Sequence, residues 1–506
     1  MNQLQLDDLP KPYFIQYSAQ DRHTVTLQAA YGGIVSSDDD HVRFATSRVR
    51  VGSPTLDNTN LGRGYGGGTS LPLTDDYTAT RHAVWHMTDN DYKFAVEVLT
   101  RKQAYLRQKK IEDRPDDFST ATPIQHVEPS DEFKVDRKAW EQRLRIWSKR
   151  FQDHPAIQDA DVTFYGGSVT EWIVNSEGTR LRTSDSGVYV RIEAELQADD
   201  GMPLADSLMY LALQADKLPS TEEVLADIDK MCHKLVSLSK APVLEQYTGP
   251  VLFDAPAAGR AFQALLGEGL CARPQPLGSG GEADTNLEKK IGRRILPKSF
   301  QVHDDPGPEW LDGELLAGSY AFDDEGVKPK RVSLIENGKL MTLLASRAPT
   351  KKIKATTGHG RSRGFGDARA SIGCLYVSDK LGMPQDQLKE ELLEAARDED
   401  LPFALRVASM DPGGSGDLGD PVYAYKVFTE DGHEELVRGL HFLPVETRSL
   451  RHIVAAGTAR EIYNATAGNT ASFITPAILF EELELAKIER EFDRLPILES
   501  PIQRTN

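Results

Sequence analysis

Polar and apolar residues alternate, then fall into a helical period, then alternate again along the first half of this chain. Residues 13–35, YFIQYSAQDRHTVTLQAAYGGIV, alternate well enough for one or two strands, and HVRFATSRVRVG (41–52) reads as another. Between Asp75 and Lys110 the residues Ala83, Val84, Met87, Tyr92, Ala95, Val96, Leu99 and Leu106 return at helical spacing, and the stretch ends in a basic run. A Pro- and acid-rich connection (113–132) leads to a second helix over about 133–152, with Trp140, Leu144, Ile146, Trp147 and Phe151 as its apolar set. Residues 161–197 predict a strand meander broken by Gly-Gly, Ser-Glu-Gly and Ser-Gly turns. Ser220-Thr221-Glu222-Glu223 is a capping sequence for a helix over about 220–239. KAPVLEQYTGP (240–250) then reads as a domain boundary.

Strands and turns dominate beyond it. GPVLFDAPAAGRAFQALL (249–266) is a buried strand running into a helix. Asp254 is its N-cap, and Pro256 falls in the first turn, where a missing N–H costs nothing. LAGSYAFDDEG (316–326) predicts a strand and a tight acidic turn, and VSLIENGKLMTLLASR (332–347) a hairpin about Asn337-Gly338. A helix is expected at 385–398, strands at 422–428 and 436–440 about a turn at Asp431-Gly432, a short helix at 449–456 and a last strand at 477–485. Gly62–Gly68, Gly278–Asp284 and Asp411–Pro421 are Gly-rich loops, and the tail after 490 is Pro-rich. Gly62–Gly68 lacks the G-K-[ST] of a phosphate loop.

At 506 residues the chain is long enough for two or more domains. Its formal charge of −18 argues against a nucleic-acid or anionic-membrane surface, which needs clustered Lys and Arg. Cys232, Cys271 and Cys374 are widely spaced and form no C-x-x-C pair, so they read as buried thiols and neither as a disulfide framework nor as a Cys-rich zinc site. No window is apolar enough to span a bilayer, and the first residues lack the pattern of a signal peptide. A disulfide-free acidic chain fits the cytoplasm; a leader removed upstream of residue 1 would instead place it in the periplasm.

Three constellations carry candidate chemistry. His82 and His86 stand at i and i+4 on the long helix, a legitimate ligand spacing, but no Glu sits beside them and no third ligand follows. His359, Arg361 and Arg363 lie in GHGRSR, where glycines permit close backbone approach and arginine suits carboxylate recognition. They read as a peptide-contacting loop or as a turn beside a dimer interface. Asp323-Asp324-Glu325-Gly326 lacks the Asp-x-Asp ladder of a calcium loop and reads as a solvated turn.

Several segments, in this order, resemble the TldD/PmbA family of zinc metallopeptidases and their non-catalytic relatives. They are NSEGTRLRT (175–183), GPVLFD (249–254), FDDEGVKPKRVSLIENGKLMTLLASR (322–347), GHGRSRGFGDARAS (358–371), DGHEELVRGLHF (431–442) and PAILFEELEL (476–485). The resemblance implies an α+β fold, with an N-terminal mixed α/β domain carrying long helices over 1–240 and a C-terminal β-rich domain over 241–506, associating as dimers. Catalytic members carry an HExxxH helix after the strand, two imidazoles for one zinc with Glu as base, and a cysteine ligand late in the chain. Aligned on VLFD, this chain has Asp254 at the first histidine, Ala255 at the glutamate and Gly259 at the second histidine. Near the expected cysteine it reads GNTASFIT (468–475).

What the resemblance implies is therefore a non-catalytic, PmbA-type subunit without zinc of its own. It would pair with a catalytic TldD-like paralogue that holds the zinc and would help to enclose unfolded peptide. Two alternatives stay open: a metal-dependent hydrolase with a displaced site at His82 and His86, and a homo-oligomeric peptide-binding scaffold.

Overall fold

The computed structural model describes residues 9–62, 67–130, 133–278, 287–362, 367–411, 418–466 and 469–489. Arg363, most of the three Gly-rich loops and the Pro-rich tail lie outside the described residues.

The two strand tracts expected at 13–35 and 41–52 merge into one long hairpin, β1 (Pro12–Ala30) and β2 (Gly33–Ser53). Its turn has positive φ at Tyr31 (47°) and Gly32 (86°), which matches the twist of the flanking strands. After helices α1 (Tyr77–Lys109) and α2 (Arg137–Lys149) come β3 (Asp159–Asn175), β4 (Arg180–Gln197), β5 (Pro203–Ala212) and α3 (Thr221–Lys240). The strands form an antiparallel sheet in the order β2-β1-β3-β4-β5. Asp76 caps α1 by accepting from the Ala79 N–H, and Ser220 and Glu223 close a full capping box on α3. Trp140 and Trp147 of α2 and Ile228 and Leu235 of α3 bury their faces against Phe164, Val190 and Ile192 of the sheet.

Two expected turns do not form here, the first of them for a steric reason. Gly166-Gly167 and Ser186-Gly187 are not turns; they lie inside β3 and β4, with Gly167 opposite Gly187. A Cβ on Gly167 would come within 2.4 Å of the His23 carbonyl oxygen, so glycine here permits close packing of the hairpins. Strand β5 carries no clean alternation, because the inward position Asp206 is polar and accepts from the Tyr423 hydroxyl at 2.6 Å.

The second half starts at β6 (Gln246–Phe253), which leads directly into α4 (Ala255–Phe262). It continues through β7 (Phe300–Asp304), β8 (Val332–Glu336), β9 (Cys374–Asp379), α5 (Gln385–Asp398), β10 (Phe403–Met410), β11 (Pro421–Phe428), β12 (Glu434–Val437), β13 (Ile453–Ala465) and β14 (Ala471–Lys487). The large sheet runs β8-β7-β9-β14-β6-β10-β11-β12, parallel at β9/β14 and at β6/β10, with β13 folded back on β14. The hairpin turn at Asn337 (φ 50°) and Gly338 (φ 72°) forms as Asn-Gly predicts. The helix expected at 449–456 is a 3-10 turn over Thr447–His452 that passes straight into β13.

Residues 316–326 form no strand. Nor is the acidic turn solvated: Asp323 and Glu325 are buried. The Asp323 carboxylate accepts the backbone N–H groups of Glu325, Val327 and Gly360, and Glu325 accepts that of Arg347. Burial raises the pKa of both carboxyls.

The two halves interlock. Arg347, 1% exposed, stacks on Phe14 and Phe118 of the first half and donates to the Ser119 carbonyl at 2.9 Å and to Glu177 at 2.8 Å. Arg438 reaches Asp200 at 2.8 Å. The fold is α+β. No helix among the described residues is long and apolar enough to cross a membrane.

Candidate functional site

Helix α4 lies on the large sheet against β10, β13 and β14, and its first turn is where the sequence departs from a metal-binding pattern. Asp254 is its N-cap residue, but the carboxylate does not cap. It faces Arg406, whose Nε lies 3.2 Å from both carboxylate oxygens, and Arg406 also pairs with Glu434. Burial raises the Asp254 pKa, and Arg406 opposes that shift. Ala255 is buried, and its carbonyl accepts from the Thr475 hydroxyl at 3.0 Å. At Gly259 the space for a side chain is filled: a Cβ would lie 2.6 Å from the Tyr463 Cβ and 3.4 Å from Thr475 Oγ1.

The fold thus brings the GNTASFIT segment to the same helix, through Thr475 on β14 (its Gly468 lies outside the described residues). Zinc does not fit this donor set. One carboxylate is taken by arginine, one position is a methyl, one has no side chain, and the one hydroxyl is bonded to backbone. Among the described residues, no group of three or more His, Cys, Asp or Glu is placed to hold a metal ion.

The other named residues separate. His82 and His86 are exposed on α1, flank Trp85 with ring centroids at 5.6 and 6.3 Å, and gain no third ligand among the described residues. His359 cannot contact a peptide from where it sits. It is fully buried, with Nε2 3.0 Å from Asp304 and Nδ1 2.9 Å from the Thr357 hydroxyl, so it ties a turn to β7. Arg361, two residues on, does face a cleft; it stacks on Tyr320 at 4.3 Å and its Nε lies 3.2 Å from Asp324. The three cysteines are buried thiols, Cys232 and Cys271 pushed up to about 12 by desolvation and Cys374 also raised, so none is poised as a nucleophile.

That cleft, of about 1690 Å³, opens between the two halves beside α4. Arg260, Gln263 and Ala264 border it from α4 and from the π-helical turn that extends it over Gln263–Gly267. Ile462 to Ala465 of β13 form a second wall. Ser207 and Met209 to Ala212 of β5 form a third. β5 pairs with β4 on one side and with no strand on the other among the described residues, so an open sheet edge borders the cleft. Neither this edge nor Arg260, Arg273 and Arg369 figured among the sequence candidates. Arg260 left one trace, a lone charge in the apolar helix run APAAGRAF.

The family model described as the PmbA/TldA metallopeptidase C-terminal domain matches residues 245–487. A metalloprotease of Methanocaldococcus jannaschii is 33% identical over 131 residues, 24% of this chain and 27% of the relative. One of Archaeoglobus fulgidus is 27% identical over 205 residues, 39% of this chain and 44% of the relative. The chain thus matches less than half the length of these relatives. Among solved structures, TldE from Thermococcus kodakarensis aligns with a TM-score of 0.60 at 14% identity, over 94% of this chain and 97% of that one. A Thermotoga maritima protein described as a candidate modulator of DNA gyrase aligns with a TM-score of 0.60 at 16% identity, over 94% and 96%. These likenesses carry the fold.

Proposed function

We propose that this chain, similar over residues 245–487 to the PmbA/TldA metallopeptidase C-terminal domain, is a member of the TldD/PmbA family and acts within it as a non-catalytic subunit. It pairs with a catalytic paralogue that carries the zinc and helps to enclose unfolded peptide. The observation that carries this reading is the packing at Gly259, where Tyr463 and Thr475 fill the space a second histidine would need. A lost ligand on an otherwise open site could be replaced from elsewhere; a filled site cannot.

Support for the peptide role comes from the open edge of β5. An extended chain lying in the cleft can pair its main chain with that edge, and main-chain pairing gives affinity without demanding one sequence. In this reading the residues of this chain bind and orient the peptide and leave bond cleavage to the partner, where zinc would supply the activated water.

Co-expression with a paralogue from the same genome that keeps the HExxxH helix tests the pairing. The two chains are expected to co-elute as one complex, with peptide hydrolysis that a chelator abolishes. Separate elution, with the paralogue fully active by itself, contradicts the proposal.

A further inference from the structure

We propose that the cleft selects acidic peptides. The inference deepens the peptide-binding reading above and rests on it. Over the whole chain acidic residues outnumber basic ones, 77 to 59. The cleft reverses that balance. Among the described residues its basic lining consists of Arg191, Lys217, Arg260, Arg273, Arg361 and Arg369. Its acidic lining consists of Glu268, Glu314 and Asp367. Arg273 pairs with Glu268, Arg191 with Glu193, Lys217 with Asp216 and Arg361 with Asp324, so part of the positive charge is offset, and Arg369 stands exposed beside the cleft.

The placement matters more than the count. Arg361 and Arg369 stand directly opposite each other on the two-stranded ribbon formed by Gly360–Arg361 and Arg369–Ala370. Like charges in that register destabilise a strand pair; Asp324 offsets the charge of Arg361, and an anion bound beside Arg369 would offset the other. Arg369 is exposed, whereas Arg361 is held over Tyr320 beside Asp324. Arg260 lies buried at the base, where it donates to the Asp411 carbonyl and to Gln263. Arg191 projects from β4, next to the open edge of β5.

A peptide paired along that edge therefore runs between arginines from both halves of the molecule. The acidic exterior does not cancel this field. At physiological salt the screening length is about 8 Å, so remote surface charge is damped while charge concentrated in a low-dielectric cleft is not.

The test is a fluorescence-anisotropy titration of the full chain, alone and with its catalytic paralogue. It uses three labelled peptides matched to the 10 residues of β5: Glu-rich, Lys-rich and uncharged Ser/Thr/Gly. Two or three screened charge pairs predict that the Glu-rich peptide binds about tenfold more tightly than the uncharged one, with the gap closing as salt rises. The Lys-rich peptide is expected to bind most weakly. Arg369→Glu should reduce the acidic preference several-fold without lowering the melting temperature, because its side chain is exposed and the change replaces a like-charge cross-strand pair with an opposite one. Equal binding of all three peptides overturns the selectivity and leaves the peptide-holding function standing. Binding of none, with or without the paralogue, overturns both. An unchanged preference in Arg369→Glu overturns the role of the arginine ribbon.

Discussion

At the residue scale the proposal turns on a single glycine. In an exposed helix, Gly→Ala gains about 1 kcal/mol from backbone entropy. At Gly259 the added methyl meets the Tyr463 Cβ, which is fixed to the backbone of β13 and cannot swing away as a flexible side-chain end could. Overpacking a close-packed interior costs about 1–3 kcal/mol, so packing outweighs propensity. Gly259→Ala is expected to lower stability by about 1–2 kcal/mol in urea unfolding, and Gly259→His by more, without creating a zinc site. A stabilised Gly259→Ala would mean that the space is open. The missing histidine was legible in the sequence, because helix register depends only on local spacing. What occupies its place was not, because Tyr463 and Thr475 arrive from strands more than two hundred residues along the chain. His359 shows the converse: a histidine between glycines looks exposed until Asp304 is folded onto it.

Signals confined to one element served best at the element scale. The capping box of α3, the Asn337-Gly338 hairpin and the long apolar period of α1 are short-range devices, and each formed where its residues stand. Elements whose character depends on a neighbour were illegible, notably the interior glycines of β3 and the edge strand β5. The seam between β3 and the acidic turn is of this kind. Glu171 on β3 has its pKa raised from 4.5 to about 7, mainly by burial and further by Asp324 across the seam. The folded state therefore holds this proton more tightly than the unfolded chain. Its contribution to stability is fully present below pH 4.5 and is lost as pH rises through about 7. Glu171→Gln removes that loss and can still accept from Gln20, which now donates to Glu171 at 3.3 Å. Denaturant titrations should show the variant gaining about 1–3 kcal/mol on wild type between the acidic and the alkaline end of this window. Parallel stability curves across that range would contradict the buried-carboxyl account.

At the scale of the whole molecule, an acidic chain folds into two sheets locked by Arg347 and Arg438, with a cleft between them that is basic where it meets an open strand edge. The α+β architecture was expected through the order of family motifs, and the solved structures of similar fold share it. The cleft was not expected, since its walls come from both halves and no single stretch of sequence describes it. The central claim is that this fold has kept a peptide-binding frame and lost its metal centre. Zinc content and peptide hydrolysis, measured together on the purified chain after equilibration with excess zinc and removal of the unbound metal, test it most directly. The account predicts no stoichiometric zinc and no cleavage by the chain alone. One zinc per chain, together with chelator-sensitive cleavage in the absence of any paralogue, would contradict it.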